Sequence, residues 1–302
     1  METPLDSHLQ QRYGSIIDDW DSFARVAQSP LPYVVRANTL KIDPTALHKR
    51  LLASGIAAIA HDWSDELFEL AEPPGKRIEH WLGLYYVQEA VQTLPVRALD
   101  PQPGEMVLDL CAAPGGKATF IAALMQNQGT LVANEPNGRR QMSLLANINR
   151  LGVLNTLMPA YQGENFPMSA KFDRVLVDAP CSAEGTLRKE SSLQNGASIG
   201  SITRLARLQK RLIVRAFDLL TSGGILVYST CTFAPEENEA VVAHLLQERS
   251  AQVLPWDAPI HACPGLPGWL DECFPQQIQR CVRVYPHHLN SGGGFVARIS
   301  RA

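Results

Sequence analysis

The stretch MVLDLCAAPGGK (Met106–Lys117) decides the fold. Its first half, Met106–Leu110, is an apolar run of the kind that forms a strand buried on both faces. Its second half, Asp109–Lys117, is a loop of small residues that lets a backbone approach a ligand closely. The helix expected after it offers free N–H groups to an anion. The spacing is neither GxGxxG nor that of a P-loop. Working outward, Thr130–Asn134 reads as the next strand, and Asn137–Arg150 as a helix ended by Gly152. Phe172–Asp178 and Gly224–Ser229 follow as strands. Between them, Ile202–Leu220 reads as a helix with Leu205, Leu208, Leu212, Ala216 and Leu219 on one face. Val282–Tyr285 and Gly294–Ser300 read as a closing hairpin. Strands alternating with helices predict an α/β fold with a mostly parallel sheet covered on both sides.

Before position 100 the pattern differs. Tyr33–Ala37 and Leu67–Ala71 read as strands, and Pro44–Ser54 as a helix stopped by Gly55. The turn cluster DPQPG (Asp100–Gly104) marks a boundary. The expectation is therefore a small α+β domain over 1–99 and a larger α/β domain over 100–302.

The 302 residues are 45% apolar, enough for a sizeable core and against wholesale disorder. No apolar run reaches the length of a membrane span, and the polar, acidic opening METPLDSHLQ lacks a signal-peptide core. A cytoplasmic monomer with six reduced cysteines is expected. The net charge of −3 argues weakly against nucleic-acid binding, but local clustering counts for more. Arg188, Lys189, Arg204, Arg207, Lys210, Arg211 and Arg215 face only Glu184 and Glu190 between Ser182 and Arg215. Either a solvated helix face or a phosphate track fits that run.

In open α/β sheets, ligands sit beyond the carboxyl ends of the strands. Three chemically loaded segments fall there. The small-residue loop is the first, and the strand after it ends in Asn134-Glu135, where an acid can accept hydrogen bonds from ribose hydroxyls. A nucleoside carrying a small carboxylate fits these better than a dinucleotide. The second segment is DAPCS (Asp178–Ser182), and the third is Thr230-Cys231. An isolated cysteine in an apolar chain is usually a small core residue. Two at strand ends over one nucleoside site point to chemistry.

The segments DLCAAPGGK, DAPCSAEGTLRK and YSTCTFAPEENEAVV resemble the Nop/Sun (Fmu-like) family of RNA cytosine-5 methyltransferases. They look nearest to the catalytic core of bacterial enzymes that methylate small-subunit ribosomal RNA. RANTLK (Arg36–Lys41), YYVQEA (Tyr85–Ala90) and RVYPHHLNSGGGFVARI extend the resemblance over roughly residues 30 to 300. It implies a Rossmann-like class I methyltransferase fold, a seven-stranded sheet with a C-terminal antiparallel hairpin, behind an RNA-binding-like small domain. It also implies S-adenosylmethionine as methyl donor, ribosomal RNA as favoured substrate and transfer RNA as runner-up.

Carbon 5 of cytosine is too weak a nucleophile to take a methyl group until a thiolate adds at carbon 6. Residue chemistry leaves Cys181 and Cys231 open for that task. The resemblance implies Cys231 as nucleophile, Cys181 as release residue, Asp178 on the cytosine edge, and Lys117 orienting the base or lowering a thiol pKa. For the donor it implies the loop Cys111, Ala112, Ala113, Pro114, Gly115, Gly116 and Lys117, with Glu135 on the ribose and Arg140 nearby. The family's adenine-pairing acid is replaced by Gln162, whose carbonyl can accept the same hydrogen bond. Asp178 borders this pocket too.

Arg36 and Lys41 are candidate RNA contacts, although the small domain carries more acid than base and is not expected to clamp RNA generally. Cys263, Cys273 and Cys281, near His261, His287 and His288, match no common zinc spacing, so no metal is expected. Trp256 and Trp269 are expected in a lid or the core, with base stacking as the alternative. A non-catalytic assembly factor would not need two thiols. A DNA cytosine methyltransferase would need a recognition insert for which there is no room.

Overall fold

The computed structural model describes residues 7–301, so the opening residues 1–6 lie outside it. The small body is a four-stranded antiparallel sheet in the order Ala58–His61, Ser64–Leu70, Tyr33–Ala37, Tyr85–Val87. The helix Pro44–Ala53 covers it, burying Leu47 and Leu51 among Val35, Phe68 and Tyr85. Its start is set by Asp43, which accepts from the Ala46 N–H at 3.1 Å, and by proline in the first turn. The strand expected from Leu67 begins at Ser64, because a hairpin with Ala58–His61 extends it.

The large body carries the doubly wound sheet. Its parallel strands run in the spatial order Thr156–Leu157, Thr130–Ala133, Met106–Asp109, Phe172–Asp178, Leu220–Thr230. Gly294–Arg301, antiparallel to Leu220–Thr230, and Val282–Val284, antiparallel to it in turn, complete seven strands as expected, and Cys263–Pro264 and Ala251–Leu254 add edge pairings. The strand order reverses beside Met106–Asp109, which opens a crevice at the carboxyl ends. One face is covered by Gly116–Leu124 and Gly138–Leu151 through Ala118, Phe120, Leu144 and Ile148. The other is covered by Ile199–Asp218 and Glu239–Glu248 through Leu212, Ile213, Phe217 and Val241. With helices on both faces, Val107, Leu108, Val175, Leu176 and Val177 are wholly buried.

Three expectations need correction. The buried face of Ile199–Asp218 keeps the expected Leu212 and Ala216 but also takes in Ile202, Ala206, Gln209 and Ile213, with Leu205 and Leu208 on its flank. Gln209 turns inward because its amide donates to Pro180 O at 2.9 Å and Glu237 Oε2 at 2.7 Å. Leu94–Leu99 packs in the large-body core, so that core takes in residues before the boundary expected at 99/100. The helices Ser7–Tyr13 and Trp20–Ala27 also sit on the large body, with Leu9, Tyr13, Ile17 and Phe23 packed on Leu187, Phe233 and Tyr285.

Arg36 is corrected as well: it is buried where it joins the two bodies and is not free to meet phosphates, while Lys41 joins them too but stays exposed. Arg36 is 2% exposed and donates to Gly116 O at 2.8 Å, Thr119 Oγ1 at 3.0 Å and Gln88 Oε1. Burial lowers its pKa to about 9. Lys41 Nζ donates to Leu82 O at 2.9 Å and Arg150 O at 2.7 Å. Between them, Asn38 bridges Gly83 O and Leu151 O, each at 2.8 Å. Among the described residues, no helix is long and apolar enough to cross a membrane.

Candidate active site

Two adjoining cavities occupy the crevice. One, about 290 Å³, is walled by the large body: Glu135, Pro136, Arg140, Gln162, Pro180 and Leu208 among others. The other, about 300 Å³, lies between the bodies, with Tyr86, Gln88 and Gln92 on one side and Asp109, Lys117 and Lys189 on the other. Cys111, Ala113, Asp178 and Cys231 line both, so the expected chemistry sits at their junction.

The expected loop divides between them. Cys111 and Ala113 face both cavities, while Ala112, Pro114, Gly116 and Lys117 face the interdomain one. Gly115 lines neither. It caps the following helix with φ +108°, a conformation that favours glycine. Glu135 is buried, and its Oε1 accepts from the Asn137 N–H at 2.9 Å. Its Oε2 lies 3.0 Å from Arg140 without an aligned hydrogen bond. Arg140 also donates to Ala113 O at 2.8 Å.

The two thiols converge. Cys181 Sγ lies 3.3 Å from Cys231 Sγ, and the Cys231 N–H points at Cys181 Sγ at 3.4 Å. The hydrogen bond to Cys231, then burial, pushes the Cys181 thiol well above its ordinary pKa. Asp178 accepts from Lys117 at 2.8 Å and from Ser229 Oγ at 2.9 Å. Burial lowers the Lys117 pKa, but the Asp178 charge outweighs it and the net direction is upward.

A buried polar layer holds the cysteine loops. Glu237 accepts from the Ser182 N–H at 3.0 Å and from Gln209, while Tyr228 Oη donates to the Glu237 carbonyl at 2.6 Å. Asn238 ties Thr230 Oγ1 at 2.6 Å to Thr232 O at 3.0 Å. Glu184 accepts from Tyr13 Oη at 2.7 Å and the Ala197 N–H at 2.9 Å. A Cβ on Gly185 would stand 2.7 Å from Cys231 O and 2.8 Å from Gly293 O, so this close approach admits only glycine.

Asp109 was not foreseen as a site residue. It is fully buried, both carboxylate oxygens lack partners, and burial followed by the nearby Asp178 charge raises its pKa to about 7. Its place at the end of an apolar strand was the available signal. Tyr86 and Gln88 lie in the segment YYVQEA, whose resemblance to the family was the available signal, whereas Gln92 lies beyond it.

The basic run from Arg188 to Arg215 does not form one free track. Arg188 is spent on Ser29 O, Pro30 O, Ser291 O and Asn290, and Arg215 on Glu164 O. Lys189 pairs with Glu89, and Arg211 lies 3.6 Å from Glu164. Arg204 and Arg207 stay exposed.

His261, His287 and His288 converge on Asp18 at 3.0–3.3 Å. Asp18, His261 and His288 could reach one metal ion. However, His288 Nδ1 accepts the Tyr285 N–H, so its Nε2 carries the proton and donates to Asp18. The group therefore reads as a carboxylate held by imidazole donors. Cys263 also meets Asp18, Cys281 is in the core and Cys273 is exposed. Trp269 stacks on Tyr13 and donates to Glu236 at 3.0 Å, while Trp256 packs against the core.

Comparison with known proteins agrees with this geometry. Residues 96–300 match the family described as 16S rRNA methyltransferase RsmB/F, and residues 5–90 match the N-terminal domain of 16S rRNA methyltransferase RsmF. A tRNA (cytosine(49)-C(5))-methyltransferase of Pyrococcus abyssi is 36% identical over 98% of this chain and 96% of its own length. A 26S rRNA (cytosine-C(5))-methyltransferase of Caenorhabditis elegans is 39% identical over 92% of this chain, which spans 43% of that relative. The chain thus covers about half the length of some curated relatives it matches. A solved methyltransferase homologue from Pyrococcus horikoshii superposes with a TM-score of 0.85 at 34% identity, over 98% of this chain and 93% of that one. The match over residues 96–300 and the near full-length relative place this chain in the 16S rRNA methyltransferase RsmB/F family.

Proposed function

We propose that the protein methylates carbon 5 of a cytosine in RNA, with ribosomal RNA favoured, through a covalent bond from Cys231 to carbon 6. The observation that carries this reading is the pair of sulfurs 3.3 Å apart where the two cavities meet. Residues facing the large-body cavity fit S-adenosylmethionine: Glu135 has an unsatisfied, buried oxygen for the ribose, and Gln162 can accept from the adenine amine. The orphaned carboxylate of Asp109, facing the neighbouring cavity, suits the donor's ammonium. When bound, the donor supplies an electrophilic methyl group.

The chain's own residues do the rest. Cys231 adds to carbon 6, and the electron pair displaced onto the ring makes carbon 5 nucleophilic. Asp178 faces the cytosine edge and supports protonation of the ring nitrogen, while Lys117 holds Asp178. The raised Cys181 pKa disfavours its thiolate beside Cys231. We assign attack to Cys231 and release to Cys181, as the family resemblance implies. After transfer a base, Cys181 or a group acting through it, takes the carbon-5 proton; the freed electron pair restores the ring double bond, and Cys231 leaves as the thiolate.

Cys231→Ala is expected to abolish methyl transfer, and Cys181→Ala to accumulate a protein–RNA adduct on denaturing gels. Normal methylation by Cys231→Ala would reject the assignment. Running ribosomal and transfer RNA transcripts in parallel separates the substrates. The transfer RNA reading draws support from the full-length match to the archaeal relative.

A further inference from the structure

We infer that Gln92, on the segment that links the two bodies, is a positioning residue that aims Lys117 at Cys231. This deepens the methyl-transfer reading and rests on it for its catalytic consequence. The Lys117 side chain is 10% exposed, and its Nζ is held from two sides, by Asp178 Oδ2 at 2.8 Å and by Gln92 Oε1 at 2.5 Å. Asp178 belongs to the large body. Gln92 lies in the turn Ala90–Thr93, just after the last strand of the small sheet. Lys117, Gln92, Asp178 and Cys231 all line the interdomain cavity.

An ammonium with one carboxylate partner can pivot about that contact. A second acceptor in another direction fixes where the charge points. The Gln92 backbone is itself restrained, because its carbonyl accepts from Gln88 Nε2 at 3.3 Å and Gln88 Oε1 is taken by the buried Arg36. Arg36, Gln88, Gln92 and Lys117 thus form one chain of contacts from the domain joint to a cation that shares its cavity with Cys231. A cation held beside a thiol favours the thiolate, and attraction between Lys117 and Cys231 contributes to the raised lysine pKa. Without the Gln92 oxygen, Lys117 is free to fold onto Asp178, and Cys231 loses part of that help.

The test follows alkylation of Cys231 by iodoacetamide against pH, read at that residue by mass spectrometry. It compares the parent, Gln92→Leu, Lys117→Gln and the double variant. Gln92→Leu is expected to move the alkylation midpoint upward by about half a pH unit. Lys117→Gln should move it further, and the double variant should match Lys117→Gln alone, since a residue acting only through Lys117 has nothing left to act on. Gln92→Asn withdraws the oxygen by one carbon and should give a smaller move in the same direction, which covers a Leu variant that fails to fold. Methyl transfer by Gln92→Leu should drop about five-fold in kcat at neutral pH, recover toward high pH and leave the donor KM unchanged. An unmoved midpoint in folded Gln92→Leu and Gln92→Asn, or additive moves in the double variant, overturns the inference. The expected alkylation pattern in a parent that transfers no methyl group upholds the positioning and rejects the transfer reading instead.

Discussion

The cavity that holds Glu135 and Gln162 is walled by the large body alone, whereas the one that holds Gln88 and Gln92 is closed by the small body. The first depends on strand ends and on loops that fold with the sheet. The second exists only when two bodies are clamped through Arg36, Asn38 and Lys41. Donor recognition and base presentation should therefore respond to different mutations, although Cys231 serves both.

The largest expected effect falls on the clamp. Arg36→Met removes a buried, multiply bonded cation, worth about 2 kcal/mol or an approximately 30-fold loss of methyl transfer. Donor affinity, measured by calorimetry, should fall less, by about five-fold at most, because only the Asp109 end of the donor's site borders the small body. A parallel fall in both would break the contrast.

A middle-sized effect falls on the donor side. Glu135→Gln keeps the shape but removes the charge from a buried acceptor. The donor dissociation constant should rise about ten-fold while the KM for RNA holds. A change in RNA KM alone would reverse the two cavities' roles.

The smallest effect is on stability. Asp109 keeps its proton up to about pH 7 in the fold, whereas an unfolded carboxyl loses it near pH 4. Between those values the native state holds a proton that the unfolded chain has released, so stability falls as pH rises through the window. Asp109→Asn should flatten that slope, raising Tm by roughly 5 °C at pH 8 and by little at pH 4. The same variant should bind the donor less tightly, and a Tm difference independent of pH would sink the account.

The contrast also explains what the sequence could tell. Strands such as Phe172–Asp178 were legible to the residue, because burial on both faces writes a continuous apolar run. Glu135, Cys181 and Cys231 were legible because strand ends converge by topology. Gln92 was not, since its partner depends on how one body docks on another. Arg36 was misread for the same reason: a cation in sequence does not reveal whether carbonyls or phosphates will satisfy it. The helix at Ile199–Asp218 was found with Leu212 and Ala216 on its buried face, but that face was set partly askew, because a buried glutamine with two partners violates the apolar pattern.

The seating of Ser7–Tyr13 and Trp20–Ala27 has a consequence for biosynthesis. Tyr285 donates to the Ile16 carbonyl at 2.8 Å across 269 residues of sequence. Translation covers that distance in something on the order of 20 s. Throughout that interval the seat of these early helices is incomplete, with Leu187 and then Phe233 arriving before Tyr285 closes it.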